Sequence, residues 1–105
     1  MKGYWICVYE KIDNSEKLNE YAGKAKPAVE RYSGKFLTRG GKYRINEGNS
    51  SPRTVVVEFL DYDKAIECYD SPEYQKAFNI LKGHVVRQHQ IVEGCLLYTS
   101  DAADE

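Results

Sequence analysis

Three charged side chains lie in or beside segments that are otherwise apolar and rich in β-branched residues. Arg39 ends one such segment, Arg53 precedes the run from Thr54 to Leu60, and Glu58 interrupts that run. A charge inside a protein must be paired or must bind a ligand, because its desolvation is costly. We therefore take Glu58, Arg39 and Arg53 as the candidate catalytic residues.

Two interpretations of these three charges stay open. In the first, an arginine and Glu58 form an internal salt bridge that holds two strands in register. In the second, the two arginines anchor a small carboxylate or enolate, and Glu58 acts as an acid or a base. An enclosed pocket lined by the charges would favour the second interpretation, and a closed, dry pair would exclude it.

A second set of polar residues forms the candidate ligand-binding group: Tyr69, Ser71, Tyr74 and His89. The first three surround a predicted break between two helices, and Ser71 before Pro72 is typical of a helix N-cap. Capping by Ser71 and core packing by Tyr74 are the plainer interpretations, but such a break can also form the mouth of a pocket. His89 lies in the last predicted strand, and the ordinary histidine pKa suits proton transfer.

Other kinds of site find no support in the sequence. His84 and His89 are the only histidines, and no His, Cys and Asp residues have metal-ligand spacing, so we predict neither metal nor cofactor. Gly40-Gly41 lacks the longer pattern of a phosphate-binding loop. Cys7 lies in the middle of a predicted strand, where a core role is expected.

The composition bounds the class of protein and its partners. The chain has 105 residues, 42% of them hydrophobic and 30% charged, as expected of one globular domain. No apolar run approaches the roughly 18 residues of a membrane span, and a net charge of −1 gives no support for nucleic-acid or membrane binding. The N-terminus lacks an export signal and the cysteines lack Cys-x-x-Cys spacing, so we expect a cytoplasmic protein with reduced thiols. A single disulfide stays open.

Residues 95–105 resemble the translation of a transposon-end and adapter sequence used in DNA sequencing libraries. We therefore predict a domain over residues 1–94 and a non-native tail over residues 95–105, with a natural acidic tail as the alternative. Without Asp101, Asp104 and Glu105, 13 acidic residues remain against 15 basic ones, and the net charge becomes +2.

The order of elements predicts an α+β fold of the ferredoxin-like type, β-α-β-β-α-β. Asp13 and Glu16 have the spacing of a capping box, apolar residues in helical spacing follow them, and Gly34 suits the left-handed position just past the end of this first helix. A second helix begins after Asp61, a predicted N-cap, and restarts at Ser71. Right-handed crossovers place the first and third strands at the centre of a four-stranded antiparallel sheet. The predicted strands are Tyr4–Tyr9, Lys35–Arg39, Thr54–Leu60 and Val85–Val92, with Tyr43–Ile45 as an extension or hairpin arm.

Both central strands are apolar on both faces, yet two helices can cover only one face of the sheet. The other face would expose Val56 and Leu60, together with Tyr4, Ile6 and Val8 if they align with them. A large exposed apolar patch usually marks an interaction surface. We therefore predict a homodimer that packs sheet against sheet with two-fold symmetry. The sequence leaves open which residues contact the partner.

Several motifs together resemble the domain-of-unknown-function family numbered 1330, and the resemblance covers residues 1–94. They are Met1-Lys-Gly-Tyr-Trp5, Arg39-Gly-Gly41, Pro52-Arg-Thr-Val-Val-Val-Glu-Phe59, Cys68-Tyr-Asp-Ser-Pro-Glu-Tyr74 and Ile91-Val-Glu-Gly94. That family resembles a branch of the dimeric α/β-barrel superfamily, which includes cofactor-free monooxygenases, muconolactone isomerase-like proteins and stress-response proteins. The resemblance implies the fold and the dimer but no established activity.

Two functional hypotheses follow. The chain is a cofactor-free enzyme, similar to a monooxygenase or an isomerase, that acts on a small organic ligand. Alternatively, it is a non-catalytic ligand-binding or stress-related dimer in which the charges are structural.

Overall fold

The chain folds into a four-stranded antiparallel sheet with helices on one face. A computed structural model describes residues 1–95, so most of the predicted tail lies outside the described residues. The elements are β1 Gly3–Ile12, α1 Ser15–Arg31, β2 Lys35–Arg39, β3 Arg53–Phe59, α2 Tyr62–Asp70, α3 Pro72–Leu81 and β4 Val85–Glu93. The strand order β2-β3-β1-β4 places β1 and β3 at the centre. The ferredoxin-like α+β fold is therefore confirmed.

The register of the strands decides which side chains face the helices. Trp5, Cys7 and Tyr9 of β1 are buried on the helical side, which we call the inner face of the sheet. Residues paired directly across neighbouring strands share a face. The inner face therefore also carries Val57, Val55 and Arg53 of β3 and Ile91, His89 and Arg87 of β4, each opposite the corresponding β1 residue.

The alternate residues of the same strands face away from the helices, on what we call the outer face. Tyr4, Ile6 and Val8 of β1 lie opposite Glu58, Val56 and Thr54 of β3, and all six are half-buried. No helix covers this face within residues 1–95. An apolar surface left uncovered by the helices was expected from the sequence, and the register now shows which residues form its centre.

The ends of α1 differ from the prediction. Its N-cap is Asn14 rather than Asp13, and the Asn14 side chain accepts a hydrogen bond of 3.1 Å from the backbone N–H of Lys17. The left-handed residue beyond the helix is Ser33, with φ of 64°, and not Gly34. Gly34 has a packing role instead, because a Cβ there would collide with Val29 and Phe59.

The break between α2 and α3 follows the predicted caps. Asp61 accepts a hydrogen bond of 2.8 Å from the backbone of Lys64, and Ser71 accepts one of 3.2 Å from the backbone of Tyr74. The Ser71 hydroxyl also donates to the Cys68 carbonyl at 2.7 Å. The buried Ser71 is thus fully used as a cap, and α3 restarts at Pro72 as the sequence indicates.

The segment between β2 and β3 has no regular structure. Residues 40–50 are exposed, and Tyr43–Ile45 forms neither a strand nor a hairpin arm. Gly40 begins this segment with φ of +79°, a conformation that favours glycine. Cys7 and Cys68 are buried and are not joined by a disulfide. None of the helices in residues 1–95 is long and apolar enough to cross a membrane.

Candidate functional site

Arg87 of β4 is the centre of a polar cluster on the inner face. Its Nη1 atom donates to the hydroxyl oxygens of Tyr9 at 3.0 Å and Tyr21 at 3.3 Å, and lies 3.3 Å from the Cys7 sulfur. Its Nη2 atom donates to the Tyr74 hydroxyl at 2.8 Å. The hydroxyls of Tyr21 and Tyr74 are themselves 2.8 Å apart. One guanidinium thus connects β4 and β1 with α1 and α3.

The charge of Arg87 is stabilised by hydroxyls and aromatic rings, not by a carboxylate. Its guanidinium carbon lies 5.4, 5.3 and 5.4 Å from the ring centroids of Tyr9, Tyr21 and Phe78. No Asp or Glu within residues 1–95 forms a salt bridge with it. Burial raises the pKa of Tyr9 and of Tyr74, so both stay neutral donors and acceptors at physiological pH.

His89 lies beside Arg87 and is held as a neutral imidazole. Its ring centroid is 4.7 Å from that of Trp5 and 4.8 Å from that of Tyr69. Burial, and then the positive charge of Arg87, lower the pKa of His89 to about 4. Its Nε2 atom is buried and has no hydrogen-bond partner among the described residues. A ligand group that reached this atom would satisfy it.

Arg53 of β3 lies on the other side of Tyr9 from Arg87. Tyr9 pairs with Arg53 across one edge and with Arg87 across the other, and the Arg53 guanidinium carbon is 5.9 Å from the Tyr9 ring centroid. The Arg53 Nε atom is buried without a hydrogen-bond partner among residues 1–95. A Cβ at Gly40 would collide with Arg53 Nη1, so the glycine allows the backbone to lie against one end of the guanidinium.

These side chains line a cleft between α1 and the inner face of the sheet, which we call the inner cleft. Its cavity volume is about 30 Å³. The cleft is therefore a narrow slot. Its charged lining residues are Lys26, Arg39, Arg53 and Arg87, and no Asp or Glu is among them.

The structure separates the three candidate catalytic residues. Arg39 and Arg53 line the inner cleft, whereas Glu58 pairs with Tyr4 on the outer face. The Tyr4 hydroxyl donates to Glu58 Oε2 at 3.0 Å, and this hydrogen bond raises the pKa of Tyr4. Glu58 forms no salt bridge with either arginine within the described residues. Arg53 and Glu58 are five positions apart in β3 and therefore lie on opposite faces of the sheet, so the structure does not bring Glu58 to the two arginines.

The candidate ligand-binding residues are closer together but differ in access. Ser71 is used as a cap, and Tyr74 is buried with its hydroxyl in the Arg87 cluster. Tyr69 and His89 line an open groove at the β4 edge with Arg87, whose side chain therefore borders both this groove and the inner cleft. Nowhere in residues 1–95 do three His, Cys, Asp or Glu side chains come together as metal ligands.

Arg87, Tyr9 and Tyr21 were not among the predicted site residues. Val85, Arg87, His89 and Ile91 occupy every second position of β4 and therefore share one face, on which two polar residues lie between two apolar ones. That pattern was the available signal. It became informative only when the pairing with β1 showed that this face is the inner one.

The family model for a domain of unknown function, DUF1330, matches residues 2–95, and the chain belongs to this family. The predicted resemblance is thereby confirmed. None of the curated proteins compared with the sequence matches it.

Solved structures with a similar fold come from several bacteria. A protein of unknown function from Rhodopseudomonas palustris has a TM-score of 0.75 and 14% identity, with 90% of this chain and 83% of that chain covered. SnoaB, a cofactor-independent oxygenase from Streptomyces nogalater, has a TM-score of 0.65 and 10% identity, with coverage of 92% and 96%. A dimeric ferredoxin-like protein from Bacteroides fragilis has a TM-score of 0.59 and 19% identity, with coverage of 89% and 96%. At these identities the shared feature is the fold.

The lowered pKa of His89 predicts how stability depends on pH. An unfolded histidine, with a pKa of 6.5, takes up a proton that folded His89 does not bind until about pH 4. The free energy of unfolding should therefore fall by about 1.5 kcal/mol between pH 6.5 and pH 5. Urea unfolding across this range measures the change.

The matched variants separate His89 from other titrating groups. His89→Gln should remove most of this pH dependence, whereas His84→Gln should preserve it. An unchanged slope in His89→Gln would show that His89 is not held neutral by the fold.

Proposed function

We propose that the chain binds a small organic molecule in the inner cleft. The observation that carries this proposal is the buried, unpartnered Nε atom of Arg53, a residue that lines a cleft with other arginines and no carboxylate. The walls are otherwise mainly apolar, with a few convergent polar groups, which is typical of small-molecule sites. An internal salt bridge would have paired these charges, but none of the cleft arginines has a carboxylate partner within residues 1–95.

In the catalytic form of this proposal, the chain is a cofactor-free enzyme of the monooxygenase or isomerase kind. The description of SnoaB as a cofactor-independent oxygenase is consistent with such chemistry on this fold. Arg39 and Arg53 would hold the substrate, and neutral His89 would accept a proton from it, because Glu58 does not reach the inner cleft. In the alternative form the same site binds its ligand without turnover. Consumption of a bound compound would distinguish the two.

We also propose that two copies pack through their outer faces to form a homodimer. Ile6, Val8 and Val56 form an apolar centre on a face that no helix covers within residues 1–95. Solved structures of similar fold from Bacteroides fragilis and Jannaschia are described as dimeric. In such a dimer the Tyr4–Glu58 pair would lie at the interface, which gives Glu58 a structural role. Cytoplasmic location remains part of the proposal, supported by the unpaired thiols of Cys7 and Cys68.

Filling the inner cleft tests the binding site. Ala22 is half-buried and lines the cleft from α1. Compounds that raise the melting temperature of the wild-type protein should bind the Ala22→Leu variant at least tenfold more weakly, because the leucine side chain occupies the space that they need. A thermal-shift screen of small carboxylates, phenols and neutral aromatics, followed by calorimetric titration, measures this. Lys24→Leu, an exposed change on the same helix, is the control. Unchanged binding to Ala22→Leu would place the site elsewhere.

Charging the outer face tests the dimer. Ile6→Lys should convert the dimer to a folded monomer, because two copies of the charge would be desolvated against each other. Light scattering after size-exclusion chromatography gives the mass, and Asn19→Lys, on the exposed side of α1, should stay dimeric. A wild-type protein that is monomeric and does not aggregate would contradict this interface.

A further inference from the structure

We infer that the inner cleft selects an organic anion with a flat, apolar body, and that Arg53 is the residue that holds the anionic group. This inference rests on the proposed function, since it specifies the ligand of the same cleft. It concerns the two arginines on either side of Tyr9 and how differently each is satisfied.

Arg87 is satisfied by the protein, whereas Arg53 is not. Both terminal nitrogens of Arg87 contact hydroxyl or thiol groups, at distances between 2.8 and 3.3 Å. The Arg53 guanidinium carbon lies over the Tyr9 ring, 5.9 Å from its centroid, and the Arg53 Nε atom has no hydrogen-bond partner among the described residues. A buried donor without a partner costs free energy that a ligand can recover. Arg53 is thus the arginine that is free to bind.

The contact with Gly40 distinguishes the two hydrogen-bonding edges of the Arg53 guanidinium. Gly40 lies against the Nη1 end of the guanidinium, so the remaining edge is the one formed by Nε and Nη2. That edge carries two parallel N–H groups and matches the two oxygens of a carboxylate, which makes recognition bidentate. A neutral amide or alcohol can accept one of these bonds but cannot balance the charge.

The charges around the inner cleft favour an anion over a neutral or cationic ligand. Among its lining residues, only Lys26 has a carboxylate partner, Glu30 at 3.2 Å, while Arg39, Arg53 and Arg87 have none within residues 1–95. Low-dielectric walls concentrate the potential of such like charges. The downward effect of Arg87 on the pKa of neighbouring His89 is consistent with this positive potential.

The walls define the rest of the ligand. Beyond the charged groups, the slot is lined by Trp5, Phe36 and Val55 from the sheet and by Ala22 and Ala25 from α1. The small alanines leave a narrow gap opposite aromatic and β-branched side chains. A planar aromatic or conjugated body fits such a gap better than a bulky or strongly polar one.

Isothermal titration with a matched pair of probes tests the inference. 2-Naphthoate and 2-naphthamide have nearly the same shape and differ in charge. The wild-type protein should bind the carboxylate at least tenfold more tightly than the amide at low ionic strength. Arg53→Gln should reduce this preference at least fivefold without changing the affinity for the amide. Arg44→Gln, which alters an exposed arginine in the segment between β2 and β3, should keep the wild-type preference.

The outcomes separate this inference from the proposed function. If the amide binds the wild-type protein as tightly as the carboxylate, or if the preference is unchanged in Arg53→Gln, the inference is overturned while the cleft remains a ligand site. If neither probe binds and no compound of the wider screen does, the proposed function fails and the inference fails with it. If Arg53→Gln does not fold, Arg53→Lys provides the test. Lysine keeps the positive charge but lacks the two parallel N–H groups, so the affinity for the carboxylate should fall at least threefold. An unchanged affinity would overturn the inference.

Discussion

The packing of the helices on the sheet depends on one charged side chain, Arg87, which lies among phenols and aromatic rings. Removing a guanidinium from water is costly, and no carboxylate within residues 1–95 offsets that cost by pairing with it. Hydrogen bonds to Tyr9, Tyr21 and Tyr74 do so instead. Since these residues belong to β1, α1 and α3, satisfying one charge also fixes how both helices lie on the sheet.

The properties of the inner cleft follow from this accommodation. Tyr9 and Tyr74 stay neutral because burial raises their pKa, so these hydroxyls bind the positive charge by hydrogen bonds without neutralising it. Burial, and then the charge of Arg87, lower the pKa of His89 and keep it neutral. Across Tyr9, Arg53 adds a second positive charge with an unpartnered donor. A cleft that is positive, narrow and apolar in its walls is suited to an anion with a flat body.

Local patterns predicted the elements well but could not decide which face of the sheet each strand presents to the helices. The apolar run of β1, the caps at Asp61 and Ser71, and the β-α-β-β-α-β order were all readable from the sequence, and the fold followed from them. Both faces of β1 and β3 are apolar, so the same pattern fits either orientation, and a change of one residue in register moves every side chain to the other face. Glu58 was therefore grouped with Arg53 although it lies on the outer face, and Arg87 was passed over because its partners are far away in sequence.

We propose that Arg53 is the free anion-binding group and that Arg87 is a structural one. Nitrogen-15 NMR of the arginine Nε–Hε groups tests it directly, because the two side chains give separate signals that Arg53→Lys would assign. On titration with 2-naphthoate, the Arg53 signal should shift to saturation, while the Arg87 signal should move much less. The proposed roles would be contradicted if the Arg53 signal did not shift while the ligand binds, or if the Arg87 signal shifted more than the Arg53 signal.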